Sequence, residues 1–337
     1  MSEHSIQDLL KIFDVPDLDS WWQQVQKEVG SKEISWQIED DLKLDPLGTG
    51  ANQQQPILWN TDSNWKILEY LPFSKGIREF SQLQEFEIDE FVFEITSEAQ
   101  FASFGRLQKP APFSLVLPAS LYALHDQIPQ DTHFVRYDPL GSGLRQQLLE
   151  ARPNFNWQYV YGLPDSSTSR RLSGILEKLI LLLNEDREQV RRWRIYLEIS
   201  SSFHRQIAEL RALKILLLNL LKAFDLALDT HPQIVAVIKA DPGKDLYANL
   251  IGATAKAVSA VLGGIDAMFF QSDENLNYWA EFHRLSRNIH YILKYEGHLG
   301  HRLDPLAGSY AIENATTALA KKAWEQIGRP DPQRASE

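Results

Sequence analysis

The stretch Trp193–Phe224, WRIYLEISSSFHRQIAELRALKILLLNLLKAF, is a short β-type run that stops at three serines and turns directly into a long apolar helix. Ile195–Ile199 is bulky and nearly continuous in apolar character, which predicts a strand covered on both faces in a parallel sheet. A serine oxygen accepts from the orphan N–H groups of a helix's first turn, so Ser200, Ser201 and Ser202 are expected to cap the helix after them. Phe203, Ile207, Leu210, Leu213, Leu217, Leu220 and Leu221 then recur at spacings of three and four, while Ile215, Leu216 and Leu218 widen the apolar surface beyond one stripe. Such a helix must be covered on most sides.

The same strand-then-helix rhythm runs outward in both directions. Strands are predicted at Trp65–Leu71, Glu90–Ile95, Phe113–Leu117, Phe134–Tyr137, Trp157–Tyr161, Arg194–Ile199, Ile234–Lys239 and Ala267–Phe270. The helices between and after them are predicted at Ser74–Phe86, Glu98–Leu107, Leu121–Asp126, Gly143–Ala151, Ser169–Asn184, Phe203–Ala227, Asp245–Leu262 and Asn275–Leu293. Alternation of this kind specifies a parallel sheet, and eight units close a (β/α)8 TIM-type barrel. The expected fold class is therefore α/β, with the barrel over residues 56–300 and no second domain. Residues 1–55 read as an N-terminal arm. In it, Asp17 to Gly30 predicts a short helix with Trp21, Trp22, Val25 and Val29 to one side, and Ser31–Pro56 is expected to be extended and turn-rich. Residues 301–337 supply a turn, Asp304-Pro305-Leu306-Ala307-Gly308, and a last helix near Ile312–Ile327 that packs on the barrel. In that turn Asp304 is expected to accept local N–H groups and Gly308 to take a positive φ.

Composition narrows the function classes. The chain has 337 residues, 44% of them hydrophobic, enough for one large core. A formal net charge of −11 opposes a nucleic-acid surface, whose affinity comes from Lys and Arg against phosphate. The absence of cysteine excludes disulfides and thiolate chemistry. Apolar runs such as Ile175–Leu183 are too short and too interrupted by charge to span a bilayer, and the first residues lack a secretory pattern, so the expectation is a cytoplasmic protein without a membrane partner. Gly48-Thr49-Gly50 and Gly141-Ser142-Gly143 lack the flanking positions of nucleotide fingerprints and read as turns. The basic cluster Arg187–Arg194 reads as a solvated loop partly neutralised by Glu185, Asp186 and Glu188.

Reactive groups of such a barrel sit at the C-terminal ends of its strands. Those ends carry Glu69, Tyr70, Glu94, Arg136, Asp138, Tyr161, Glu198 and Lys239, which is enough charge for acid–base work. The alternative is that Arg136 and Lys239 neutralise Glu69, Glu94, Asp138 and Glu198 above a packed core. Strand interiors favour the second reading, because Ile67, Leu68, Val92, Val116, Val135, Ile195, Val235, Val237 and Phe269 are expected to fill the axis.

Several segments resemble the methylmalonyl-CoA mutase family. FHRQIAELRA (203–212) resembles the family's F-x-x-E-I-A-K-x-R-A helix after the sixth barrel strand. DLYANLIGATAKAVSAVLGG (245–264) is similar to D-x-x-N-N-x-x-R-x-T-x-E-A-x-A-A-x-x-G-G. RLSRNIHYILKYEGHLGHRLDPLAGSYAIE (284–313) is similar to R-I-A-R-N-x-x-x-x-L … D-P-x-x-G-S-Y-x-V-E, which marks Arg284, Arg287, Asn288, Asp304 and Gly308 as a structural motif. The paired tryptophans and Asp45-Pro46-Leu47 resemble the opening of the family's small subunit.

Departures from the catalytic pattern are equally specific. Where catalytic chains carry R-x-Y-x-G-F, this one has Tyr70-Leu71-Pro72-Phe73-Ser74-Lys75. Where they carry S-G-Y-H-x-x-E-A-G, it has Tyr161-Gly162-Leu163-Pro164-Asp165-Ser166, without the thioester-contacting histidine. Where they hold CoA with R-T-x-S-Q-T-S-G, it has His231-Pro232-Gln233-Ile234-Val235-Ala236. The family's cobalamin motif D-x-H-x-x-G is approached by Glu296-Gly297-His298-Leu299-Gly300-His301, but the first position is Glu and His301 replaces the glycine. Only 36 residues come after it, against about 100 in a typical domain. His298 and His301 are read as loop histidines rather than metal ligands.

The resemblance therefore implies a small, non-catalytic subunit with no catalytic, cofactor or metal residues of its own. Adenosylcobalamin would reside in a partner, either a large subunit in a heterodimer or a second copy, and the complex would interconvert methylmalonyl-CoA and succinyl-CoA. The family's arm reaches across to the other subunit, which makes Trp21, Trp22 and Trp36 interface candidates. The alternative is a stand-alone acyl-CoA-binding barrel or enzyme that uses Glu69, Glu94, Arg136, Asp138, Glu198 and Lys239.

Overall fold

The first element among the described residues is helix α1 (Leu18–Val29), which Asp17 opens by accepting from the Ser20 N–H at 2.6 Å and Gly30 closes at a φ of 72°. An antiparallel hairpin comes next, β1 (Trp36–Glu39) and β2 (Leu42–Leu44), in the segment expected to be merely extended. Then come eight parallel strands: β3 (Lys66–Pro72), β4 (Glu90–Glu94), β5 (Phe113–Pro118), β6 (Thr132–Asp138), β7 (Tyr159–Gly162), β8 (Arg194–Glu198), β9 (Gln233–Lys239) and β10 (Ala267–Gln271). Their hydrogen-bonded order, β6-β5-β4-β3-β10-β9-β8-β7, is that of a (β/α)8 barrel joined everywhere except along the β6/β7 seam. This computed structural model describes residues 17–30, 34–39, 41–47, 64–74, 80, 83, 85–105, 112–129, 132–138, 159–162, 167–185, 187, 190–227, 229, 231–301 and 304–328. The helix expected at Gly143–Ala151 and most of the one at Ser74–Phe86 lie outside the described residues.

Helices α2 (Glu98–Phe104), α3 (Thr168–Glu185), α4 (Phe203–Ala223), α5 (Leu246–Gly263) and α6 (Trp279–Tyr291) surround the strands, and α7 (Tyr310–Gln326) packs across α3 and α4. Leu121–Asp126, expected as α-helix, is a 3-10 turn, and α6 ends in a π-helical turn at Ile292–Glu296. The cap of α4 also differs from expectation. No serine oxygen caps it; the Gln206 side-chain carbonyl reaches back to accept from the Ser200 N–H at 2.8 Å.

Period-two alternation divides the strand residues into two layers. Ile195, Leu197, Phe91, Phe93, Leu115 and Val135 pack outward beneath the helices. Leu68, Tyr70, Val92, Val116, Phe134, Tyr196, Val235, Val237, Ala267 and Phe269 fill the axis, with Tyr159 and Tyr161 against them. Ile67, Val135 and Ile195, expected inside, thus face the helices, while four tyrosines and Phe134 take the interior. Tyr70 stacks on Phe269 with ring centres 5.4 Å apart, a pairing that adds about 1 kcal/mol to its burial.

The N-terminal layer of the axis holds a buried ion pair. Arg194 at the start of β8 reaches across to Glu90 at the start of β4 and donates twice, at 2.7 and 2.6 Å. Ser114 donates to the same carboxylate at 2.5 Å, His133 Nδ1 lies 2.7 Å from it, and the guanidinium sits 4.7 Å from the Phe134 ring centre. Burial alone would push the Glu90 carboxyl up; the Arg194 charge and these bonds overcome it and hold the carboxyl far below the usual carboxylate range.

Two charged clasps join the outer segments to the barrel. Arg211 of α4 donates to Asp304 and to Glu313 of α7, each at 2.5 Å, while Asp304 also accepts from the Leu306 N–H at 3.1 Å. Glu39 at the end of β1 accepts from the N–H and hydroxyl of Ser169 at 2.5 and 3.0 Å, supplying the first turn of α3 with an acceptor, and pairs with Lys322 of α7 at 2.7 Å. Ile38 and Leu44 of the hairpin join the same apolar core as α3, α4 and α7.

Stability should respond to substitution at each of these features. Arg194→Met leaves the Glu90 carboxylate buried without its partner and is expected to cost about 3–5 kcal/mol in denaturant unfolding, while adding Glu90→Gln to it recovers part of the loss. Gly264 and Gly308 both have positive φ, 81° and 83°, but a Cβ at Gly264 meets the Lys214 ammonium and one at Gly308 meets nothing. Gly308→Ala should therefore cost about 1–2 kcal/mol from backbone strain, and Gly264→Ala more, in paired thermal melts. Finally, burial holds the His283 and His290 imidazoles down at about 3, against 6.5 in an unfolded chain. The unfolded state takes up protons first as pH falls, so this stability is complete above about pH 6.5 and declines towards pH 3. A His290→Gln variant, whose amide oxygen can still accept from Trp65 Nε1 as His290 Nδ1 does at 3.2 Å, should lose less denaturant resistance between pH 6.5 and 4.

Candidate functional site

The C-terminal mouth of the barrel is where strand-end side chains converge. Four of the six candidates have described side chains at strand ends there. Lys239 and Glu198, ending β9 and β8, pair at 2.8 Å. Although burial opposes it, the hydrogen bond to Glu198 raises the Lys239 ammonium above its ordinary value. Arg136 of β6 is buried with its guanidinium 5.0 Å from the Tyr196 ring centre and 5.4 Å from that of Tyr161, a cation held on two aromatic faces. Glu94, ending β4, bonds the Tyr70 hydroxyl, which also accepts from Gln271 Nε2 at 2.9 Å. Burial and the Glu94 charge together hold the Tyr70 phenol well above its usual range.

Glu69 does not join them. It lies in the middle of β3 with the opposite parity to Leu68 and Tyr70, and points outward to Arg287 of α6, which donates at 3.0 and 2.7 Å. That pairing gives Arg287 of the structural motif a packing role, while Arg284 and Asn288 are exposed. Asp138 ends β6, and its side chain lies outside the described residues.

A buried cluster fixes the rim between β7 and β8. Arg171 of α3 donates to the carbonyls of Gly162 and Glu198 at 2.7 and 2.6 Å and pairs with Glu209 of α4 at 3.1 Å; Gln206 donates to Glu209 at 3.0 Å. Burial pushes the Glu209 carboxyl up from its ordinary value. No strand or helix period flags this set, because its members come from separate segments and contact only through the fold.

Chemically the mouth is satisfied rather than poised. Among the described residues a carboxylate bonds a phenol, a lysine pairs with a carboxylate and an arginine lies on two rings, so each of these groups is engaged by a neighbour. Ser272 and His283, just beyond β10, make a Ser–His contact at 3.2 Å that no sequence motif announces. Both are buried, and an imidazole held at about 3 is a poor general base at neutral pH. Among the described residues no group of three or more His, Asp or Glu could hold a metal ion.

The residues that approach a cobalamin motif do not fit that role. Glu296 ends the π-helical turn, His298 has a φ of 50°, and Leu299–His301 is a 3-10 turn. Lys294 in the same segment donates to the Trp65 carbonyl at 3.4 Å, and Gly300 lies against Asn64. This connection therefore sits under the start of β3, at the end of the barrel opposite the mouth.

The arm's tryptophans fall in two places. Trp21 and Trp22 meet edge to face with centres 5.0 Å apart on α1, a helix without a buried residue. Trp36 on β1 packs on His204, centres 4.9 Å apart, and stays 48% exposed.

Comparison with known proteins singles out the C-terminal part of the chain. Residues 186–332 match the family described as methylmalonyl-CoA mutase. A methylmalonyl-CoA mutase of Rhizobium meliloti (strain 1021) is 33% identical over 175 residues, which cover 45% of this chain and 24% of the relative. From Streptomyces virginiae, a methylmalonyl-CoA mutase small subunit is 35% identical over 27% of this chain and 15% of its own length, and a large subunit 29% identical over 38% and 18%. The aligned part thus spans a quarter or less of these relatives. It contains β8, β9 and β10, the helices behind them, and the Arg211–Asp304–Glu313 clasp, and over residues 186–332 the chain is similar to the methylmalonyl-CoA mutase family.

Proposed function

We propose that the chain is the small, non-catalytic subunit of an adenosylcobalamin-dependent methylmalonyl-CoA mutase, paired with a large subunit that isomerises methylmalonyl-CoA and succinyl-CoA. The observation that carries this reading is the filled axis: aromatic side chains and the Glu90–Arg194 pair occupy the barrel from its N-terminal layer to the mouth. In the resembled catalytic chains that space admits the substrate's pantetheine arm. The internally paired mouth supports the same reading, as does the poor fit of the Glu296–His301 connection to cobalamin. Relatives that divide into large and small subunits support assembly. On this reading the chain works in the cytoplasm, binds no cofactor itself, and contributes a rigid body and the Trp21, Trp22 and Trp36 surface of its arm.

Calorimetry of the isolated chain with adenosylcobalamin and with methylmalonyl-CoA tests the first half. Neither ligand is expected to bind at micromolar concentration; micromolar cobalamin binding would overturn the proposal, and micromolar thioester binding would support a stand-alone acyl-CoA binder. For the arm, deletion is a poor tool, because Glu39 and Ile38 belong to the barrel's own packing. Trp21→Ala/Trp22→Ala should instead weaken co-elution with a large subunit by tenfold or more while leaving the melting curve unchanged. Undiminished co-elution would remove the arm from the interface.

A further inference from the structure

At the end of the barrel opposite the mouth, the segment leading into β4 meets the end of α6. Phe86, Ile292 and Tyr295 stay 46%, 48% and 44% exposed there, and half-buried Tyr291 stacks on Tyr295 with ring centres 6.3 Å apart. Carboxylates flank these side chains: Glu85, Glu87 and Asp89 alternate along the segment and Glu296 comes directly after Tyr295, all four exposed. Two cations of α6 and its last turn are directed inward. Arg287 lies on the Phe86 ring, 5.0 Å from its centre, and is bound to Glu69, while Lys294 is buried with its ammonium on the Trp65 carbonyl. Two exposed cations border the patch. Arg284 stands two turns before Ile292, about 12 Å along the helix, and Lys66 precedes the Ile67 N–H that Asp89 holds. Against four carboxylates they leave the face net acidic.

The face is also preformed. The Phe86 N–H donates to the Leu83 carbonyl at 3.1 Å, the Ile88 N–H to the Phe86 carbonyl at 2.9 Å, and Asp89 accepts from the Ile67 N–H at 2.7 Å. The Tyr291 hydroxyl donates to the Glu87 carbonyl at 3.2 Å and the Tyr295 hydroxyl to the Glu87 carboxylate. That last bond raises the Tyr295 phenol to about 12, so it stays a neutral donor at working pH. A ligand here has little of the segment left to order.

We propose that this acidic, aromatic face docks a lysine- or arginine-bearing segment of a partner protein. Charge selects the occupant. The carboxylates repel nucleic acid and anionic lipid, and a two-fold contact between copies would set them against their own images. A guanidinium or ammonium instead finds carboxylates to pair with and ring faces for cation–π contact, while Phe86 and Ile292 cover the apolar stems of its side chains. The formal net charge of −11 adds long-range attraction for such a segment. The contact is independent of the subunit reading, since it involves neither the arm nor the mouth.

Fluorescence anisotropy of a labelled octa-arginine peptide, titrated with the full chain at about 20 mM and about 200 mM salt, tests it. The expected result is micromolar binding that weakens at the higher salt and falls about tenfold or more in Glu85→Gln/Glu87→Gln. Phe86→Ala changes no charge and should weaken binding about threefold or more. An amide at position 87 still accepts from Tyr295, so the melting temperature is expected to hold. Glu281→Gln/Glu325→Gln removes the same charge from exposed positions on α6 and α7 and should leave binding within about twofold. Equal losses in the two charge variants, or full binding by Phe86→Ala, would show attraction to the acidic surface at large and overturn the proposal. So would a peptide that does not bind at the lower salt. Self-association in sedimentation, or flotation with phosphatidylcholine vesicles, that Phe86→Ala abolishes would assign the face to a second copy or a lipid surface and overturn it too.

Discussion

The Arg194 guanidinium lies inside the barrel and grips Glu90 on the facing strand at 2.6 and 2.7 Å. Two charges removed from water are tolerable only with near-complete hydrogen bonding, and Ser114, His133 and the face of Phe134 complete the set. That requirement brings β4 and β8 together across the axis and seals its N-terminal end. Above it, among the described residues, Val92, Val116, Phe134, Tyr196, Val235 and Phe269 pack against one another and fill the axis. A channel through this axis would break the pair and expose the aromatic layer at once, so the filling is a property of the fold rather than of one side chain.

The outer shell is built to hold that body rigid. Arg211 ties α4 to the Asp304 turn and to α7, and Glu39 ties the hairpin to α3 and α7. Arg171 gathers the ends of β7 and β8 through their carbonyls. The family motif accordingly acts through packing: Arg287 secures Glu69, Asp304 secures Arg211, and Gly308 permits the turn. Among the described residues, large apolar side chains stay exposed at Leu18 and Val29 of α1 and at Tyr247 and Ile251 of α5.

Much of the architecture is legible in the sequence because it rests on local patterns. Eight runs of bulky residues separated by helical periods specify eight strands, and Asp17, Gly30, Asp245 and Gly264 mark helix ends where the backbone places them. The hairpin escapes such a reading although Trp36–Glu39 and Leu42–Leu44 alternate around Asp40-Asp41, because strands of four and three residues are short and this pair is held by distant partners, Ser169 and Lys322. A serine cap is not formed; the side-chain bond at this helix start is made instead by Gln206, which accepts from the Ser200 N–H ahead of the helix. At the mouth, strand-end position brings Glu94, Arg136, Glu198 and Lys239 to one end, but Glu69 differs in parity, and a single-residue shift sends it to the helix side. The buried partners Arg171, Glu209 and Gln206 leave no trace in the sequence, since side chains from separate helices meet only in three dimensions.

On the proposed reading the mouth and axis of this chain support structure and not chemistry. The most direct measurement is the isomerase activity of the complex assembled from a large subunit and a variant of this chain with Glu94→Gln, Arg136→Met, Glu198→Gln and Lys239→Met. A kcat within about twofold of the parent complex is expected once equal assembly is confirmed by sedimentation, because on this account none of these groups touches substrate. A fall in kcat of about a hundredfold or more in a fully assembled complex would place the reacting chemistry in this barrel and contradict it.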